Sequence, residues 1–217
     1  MSKASKLLVA IAASAALGLP ALHARATPVS VSDFSFVPGS GYGVDANENS
    51  ATLLDVLFSG GFSAQSFTLD GVGDSMTFDL GSVALREPNS HGGIVASETD
   101  GLDIAARLTF TDPISFLLQM SVTGSATTGS VSDSAIDFAI DWNPVLVSFG
   151  SGGLIEIALN DLNFSGPQTL TQTATITLLT PSEVPSQVPE PGTLARGGLA
   201  LAAAGVVRRP RRKAKVA

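Results

Sequence analysis

The chain of 217 residues has no cysteine, one tryptophan, one tyrosine and two histidines. Without thiols there is no disulfide, no cysteine nucleophile and no zinc–thiolate site, so the fold must rest on its core alone. Basic side chains are nearly missing from most of the length. Between residues 27 and 191 only Arg86 and Arg107 are basic, against all 19 acidic residues, which leaves that segment at −17. Such a charge repels nucleic acid and anionic membrane surfaces, keeps the segment in solution and attracts cations. Nucleic-acid partners are excluded on that ground. Charged residues make up 14% of the chain, where about a quarter is usual, and Ser, Thr and Gly take their place.

The other basic residues mark the two ends. Residues 1–26 have the three parts of a secretory signal peptide: Lys3 and Lys6, an apolar stretch from Leu7 to Leu19, and the small-x-small site Ala24-Arg25-Ala26. Cleavage is expected after Ala26, with Ala24 as the alternative. The apolar stretch is too short to span a ~30 Å hydrocarbon core. At the other end, residues 182–193 form a Pro-rich, extended spacer that opens with SEVPSQVPEP. Residues 194–217 then supply an apolar stretch from Leu194 to Val207 and the cluster Arg208-Arg209-Pro210-Arg211-Arg212-Lys213. A spacer, a short apolar segment and a basic end have the layout of a removable sorting tail, its basic end held on the cytoplasmic side during export.

The segment Val188-Pro189-Glu190-Pro191-Gly192-Thr193-Leu194-Ala195 resembles the PEP-CTERM sorting signal of Gram-negative bacteria. The resemblance covers about thirty residues and is confined to the tail. It implies that Pro189, Glu190 and Pro191 are the sorting motif, that a membrane protease of the exosortase type is a partner, and that the protein pauses in the inner membrane before reaching the cell surface. It also implies an association with exopolysaccharide and biofilm. One residue departs from the pattern: Arg196 interrupts the apolar segment, leaving only Gly197 to Val207 free of charge. An Arg near a helix centre costs ~2.5 kcal/mol or more on insertion scales, whereas one near an end snorkels to the interface.

Residues 27–181 read as one acidic domain of strands. Period-two alternation, the mark of half-buried strands, is clearest from Asp133 to Trp142, with Ile136, Phe138, Ile140 and Trp142 on one face. It recurs from Leu102 to Thr111 and from Ile114 to Val122, with a tight hairpin expected at Asp112-Pro113 between them. Further strands are expected at 29–37, 51–58, 62–69, 75–85, 145–149, 154–164 and 172–179. The apolar parity of 75–85 switches after Gly81, which reads as a bulge, and parity shifts again near Asn160. Turn residues separate the runs, and no 3.6-residue pattern of useful length appears. About ten short strands at this spacing predict an all-β fold: an antiparallel β-sandwich of jelly-roll type, flanked by the signal peptide and the short hydrophobic C-terminal helix.

Candidate chemistry is sparse. His91 sits in a polar loop with no second histidine or metal-ligand spacing nearby, and there is no G-x-S-x-G elbow or H-E-x-x-H pair. A spatial Ser-His-Asp site stays open, without positive support. Calcium takes carboxylate and carbonyl oxygens from flexible loops. The loop acids Asp70 and Asp74, and Asp45 and Glu48, are therefore the metal candidates, although no D-x-D-x-D-G pattern is present. Asp133, Asp137 and Asp141 share one strand face at roughly 13 Å spacing, too far apart to hold one ion, and read as a solvated acidic face. Gly39 to Gly43 is a turn. Asp161-Leu162-Asn163-Phe164-Ser165 fits an acidic-x-Asn-x-Ser glycosylation acceptor, but its place in a strand argues against use. Trp142 continues an apolar face and is expected in the core, while Tyr42, in a loop, is the better aromatic platform for a sugar.

These features predict a non-enzymatic exported surface or extracellular-matrix protein with no cofactor, or calcium alone. A carbohydrate-binding sandwich using loop aromatics and calcium is the alternative. A glycan hydrolase is a further one, and would need two carboxylates ~5–9 Å apart in a cleft.

Overall fold

Alternating side chains become strands, and the computed structural model, which describes residues 26–45, 52–133 and 135–183, contains thirteen of them among those residues. In chain order they are β1 (Thr27–Pro38), β2 (Tyr42–Gly43), β3 (Leu54–Gly60), β4 (Gln65–Leu69), β5 (Ser75–Leu85), β6 (Asp103–Asp112), β7 (Phe116–Thr123), β8 (Ser125–Ala126), β9 (Phe138–Ile140), β10 (Val145–Phe149), β11 (Gly153–Leu159), β12 (Leu162–Phe164) and β13 (Gln168–Thr180). Single 3₁₀ turns at Ser90–Gly92 and Ala96–Glu98 interrupt the long link between β5 and β6.

The strands form an antiparallel β-sandwich. One sheet has the order β4-β1-β6-β7, the other β10-β11-β13-β5-β3-β2, and a small third sheet runs β12-β9-β8. Among the described residues only the two-residue β2 pairs in parallel, against the start of β3. The chain alternates between the large sheets as it passes from β1 to β3, β4, β5 and β6, the kind of connection that jelly rolls use. Each inner face is apolar because every second residue points inward. In β11 this buries Ile155, Ile157 and Leu159, and in β13 Ala174, Ile176 and Leu178.

Aromatic rings fill the space between the layers. Phe110 stacks on Phe116 with centroids 4.7 Å apart, and Phe138 on Phe164 at 5.5 Å. Phe110, Phe138 and Phe164 are fully buried, and truncating such a ring to alanine typically costs about 3–5 kcal/mol.

The expected bulge at Gly81 is present. The register between β5 and β13 pairs Gln172 with Gly81 and then Thr173 with Asp79, so Leu80 has no partner. Gly81 also faces Gly60 on β3. A Cβ at Gly81 would lie 2.3 Å from the carbonyl oxygen of Ser59, so the two backbones approach too closely there for any other residue. The hairpin expected at Asp112-Pro113 joins β6 to β7, with Phe110 opposite Phe116.

Two expectations are corrected. The run from Asp133 to Trp142 is not one strand: only Phe138–Ile140 is extended and paired. Ile136 is 52% exposed, while Asp137 is buried and accepts a hydrogen bond from Ser132 N at 3.1 Å. Asp133, Asp137 and Asp141 therefore do not share a solvated face. The reason is local: the Asp137 N–H donates to Phe164 O and its carbonyl accepts from Thr127 N, which turns this acid inward. The run 154–164 is likewise two strands. β11 ends at Leu159 and β12 begins at Leu162 in a different sheet, and the parity shift near Asn160 marks that change.

Candidate functional site

Trp142 and Gln172 form a buried polar contact between the small sheet's flank and the large one. Trp142 Nε1 donates to Gln172 Oε1 at 3.0 Å. Gln172, with no exposed surface, donates from Nε2 to Asn160 O at 2.8 Å and to Asn160 Oδ1 at 2.9 Å. Asn160 Oδ1 also accepts from Thr173 N and the Thr173 hydroxyl. Trp142 N donates to Asp161 Oδ1 at 2.8 Å. Trp142 is thus a core residue, as expected, although it lies beyond the end of β9.

Tyr42 is not a solvent-facing platform. Its ring packs against Phe58 at 5.0 Å and Phe138 at 6.0 Å, and its hydroxyl donates to Leu102 O at 2.8 Å. Burial first, and then the charge of Asp103, push its phenol well above the usual tyrosine range. The sequence placed Tyr42 in a Gly-rich loop and carried no sign that three aromatic rings converge there.

The acidic loop residues act on backbone groups. Asp74 Oδ2 accepts from Asp70 N and Gly71 N, both at 2.9 Å, and closes the turn between β4 and β5. Asp45 Oδ2 accepts from Thr52 N at 2.6 Å and Leu53 N at 2.9 Å. Among the described residues no group of three or more His, Cys, Asp or Glu side chains is disposed to hold a metal ion. Glu48 lies outside the described residues, as do Ala24 and the motif Pro189, Glu190 and Pro191. Ala26 is described and exposed. His91 falls in the Ser90–Gly92 turn.

Period counting missed a line of carboxylates that runs inward from Asp45. The Asp45 N–H donates to Asp55 Oδ1 at 3.1 Å, and the Asp55 N–H donates to Glu87 Oε2 at 3.1 Å. Asp55 and Glu87 are both buried. Burial raises the Asp55 carboxyl above the usual aspartate range, the bond from the Asp45 N–H acts against that rise, and the Asp45 charge adds to it. Glu98, buried nearby in sequence, accepts from Val95 N at 2.7 Å. Acidic residues in strands and loops gave no warning of burial, because each is compatible with the interior once a backbone N–H reaches it.

Two surface depressions bear on function. The larger, of about 480 Å³, is lined by Ala26 and Thr27 at the start of β1, Asp112 at the end of β6, Phe149, and Ser182 and Glu183 after β13. Both carboxylates on its rim are exposed. The first and last described segments of the domain therefore meet at one pole, where Glu183 N donates to Ser151 O at 2.8 Å. The smaller, of about 260 Å³, lies on the outer face of the six-stranded sheet over the β5 bulge, lined by Ser59, Gly60, Asp79, Gly81, Ser82 and Thr171 among others. Compared with known protein families, with characterised proteins and with solved structures, the chain matches none.

Proposed function

We propose that the protein is an exported surface or extracellular-matrix component, delivered by its leader and sorted through Pro189-Glu190-Pro191, with the sandwich serving as a non-catalytic body. The observation that carries the reading is the tail itself: a Pro-Glu-Pro motif, an apolar segment and a basic cluster in that order. The fold is compatible with it in one specific respect. Residues 26 and 183 line the same depression, so the two described ends of the sandwich lie at one pole, which suits attachment from a single side. The partner on this reading is an exosortase-type protease, acting while the apolar segment and Arg208 to Lys213 hold the chain in the inner membrane. The resemblance further suggests extracellular polysaccharide as the setting in which the mature protein works.

The test is membrane fractionation with an antibody to the sandwich, in a host with and without exosortase. Glu190→Ala should leave export intact but block tail removal, so that precursor accumulates in the inner membrane. Arg196→Leu should lengthen the pause, because it restores an apolar run from Leu194 to Val207 and removes the cost of placing Arg near lipid. The same size and the same fraction for wild type and Glu190→Ala in every strain would overturn the sorting reading. N-terminal sequencing of exported protein should return Thr27.

A further inference from the structure

We propose that the depression over the β5 bulge is a binding subsite for a neutral pyranose unit of a glycan. The site arises from the bulge. Gly60 and Gly81 face each other on β3 and β5, and the two backbones run close together beneath the depression. Ser59, Ser82 and Thr171 stand in register along one side of it, since Ser59 pairs with Ser82 and Ser82 with Thr171. Asp79 stands on the other.

Some hydroxyls on this face are taken up within the protein. Farther along the same face the Thr77 and Thr175 hydroxyls bond to each other at 2.8 Å, and the Thr173 hydroxyl bonds to Asn160 Oδ1 at 2.9 Å. Ser59, Asp79, Ser82 and Thr171 make no side-chain hydrogen bond to another described residue. Three hydroxyls that both donate and accept, and one carboxylate that accepts twice, thus converge on a space of about 260 Å³ with their capacity turned outward.

The chemistry selects the ligand. The space is smaller than the roughly 300–1,000 Å³ of clefts that engulf drug-sized molecules, which suits a single ring. No aromatic or aliphatic side chain lines it, so an apolar ligand gains little. No basic residue lines it either, and Asp79 sits within a strongly negative domain, so phosphate, sulfate and uronate groups are repelled. A molecule with several adjacent hydroxyls and no charge is what remains: two neighbouring hydroxyls donate to the Asp79 carboxylate, and the others exchange bonds with Ser59, Ser82 and Thr171. The glycines let the ring approach the backbone. This site does not depend on tail processing, and failure of either reading leaves the other standing.

The experiment is amide-shift titration of the full-length ¹⁵N-labelled chain with the methyl glycosides of glucose, galactose and mannose, with methyl glucuronide as the anionic counterpart and glycerol as a non-specific polyol. At least one neutral glycoside should give saturable shifts confined to Ser59–Gly61, Asp79–Ser82 and Thr171, and glucuronide should bind at least about tenfold more weakly than the glucoside. Asp79→Ala removes charge-assisted bonds and should weaken binding by about tenfold or more. Ser59→Leu places a branched apolar side chain over the space from an exposed position, so its melting temperature should match wild type while binding is lost. Should Ser59→Leu fail to fold, Asp79→Ala alone decides. No saturable shift from any neutral glycoside, shifts reproduced by glycerol, or binding unchanged in both variants would overturn the proposal.

Discussion

Replacing Gln172 with leucine keeps its approximate volume and apolar stem but removes an amide that both Trp142 and Asn160 use. The Trp142 N–H loses its acceptor at 3.0 Å, and Asn160 O and Oδ1 lose their donor. Trp142 is 6% exposed, so its N–H has little access to water and its desolvation goes uncompensated, at about 1–3 kcal/mol. Asn160 is exposed and its oxygens rehydrate, which adds at most about 1 kcal/mol. Gln172→Leu should therefore destabilise the domain by about 3 kcal/mol, or roughly 6–12 °C in melting temperature for a domain of this size. Trp142→Phe alone should also destabilise, since it strands Gln172 Oε1 and shrinks a packed ring. The double variant Gln172→Leu with Trp142→Phe removes donor and acceptor together and should be more stable than the sum of the two by at least about 1 kcal/mol. Urea unfolding of the full chain followed by far-ultraviolet circular dichroism measures this, because Trp142 is the sole tryptophan and fluorescence is lost with it. A loss under about 0.5 kcal/mol for Gln172→Leu, or simple additivity in the double variant, would refute the argument from buried hydrogen bonding.

Gly81→Ala should destabilise by about 1–3 kcal/mol, since its Cβ would meet Ser59 O at 2.3 Å, whereas Gly61→Ala, with nothing within 4 Å, should stay near wild type in the same melts. Asp55 has a folded pKa raised above its unfolded value, so the stability it contributes is present below the unfolded pKa and lost as pH rises through the folded one. Asp55→Asn should therefore be more stable than wild type at neutral pH, with the gap closing as pH falls below the ordinary aspartate range; a gap that is constant with pH in urea titrations would contradict the burial argument. Calcium and magnesium at equal ionic strength should raise the melting temperature equally, because Asp45 and Asp74 already direct a carboxylate oxygen at backbone N–H groups and general screening of the negative domain remains. A larger shift from calcium would restore a specific site.

The strands that the sequence located best are those whose apolar alternation is enforced by burial on one face only. The expected run 75–85 coincides with β5, and its switch of parity at Gly81 corresponds to the register step opposite Gln172. The run 145–149 coincides with β10. Alternation failed where hydrogen bonding rather than hydrophobicity decided which residue faces inward. Asp137 turns in because Ser132 N, Phe164 O and Thr127 N hold it, and Ile136 is exposed as a result. Gln172 is buried inside a threonine-rich strand for a similar reason, since Trp142 and Asn160 satisfy its amide. Neither partner is near in sequence, so no local pattern announces the pairing. The depression over the bulge was half legible: Gly81 marked the irregularity, but that Gly60, Ser59 and Thr171 lie beside it follows from strand order and register, which the chain reveals only when folded.

The meeting of Ala26 and Glu183 at one pole makes the sandwich nearly a closed ring of chain. A short linker between those two positions should let the chain be reopened at an exposed turn such as Gly71–Gly73 without disturbing the sheet order, since chain termini that lie close together tolerate circular permutation. For the same reason the domain is suited to insertion: spliced into a surface loop of another protein, it would enter and leave the host at neighbouring points and leave the host's own backbone unspread.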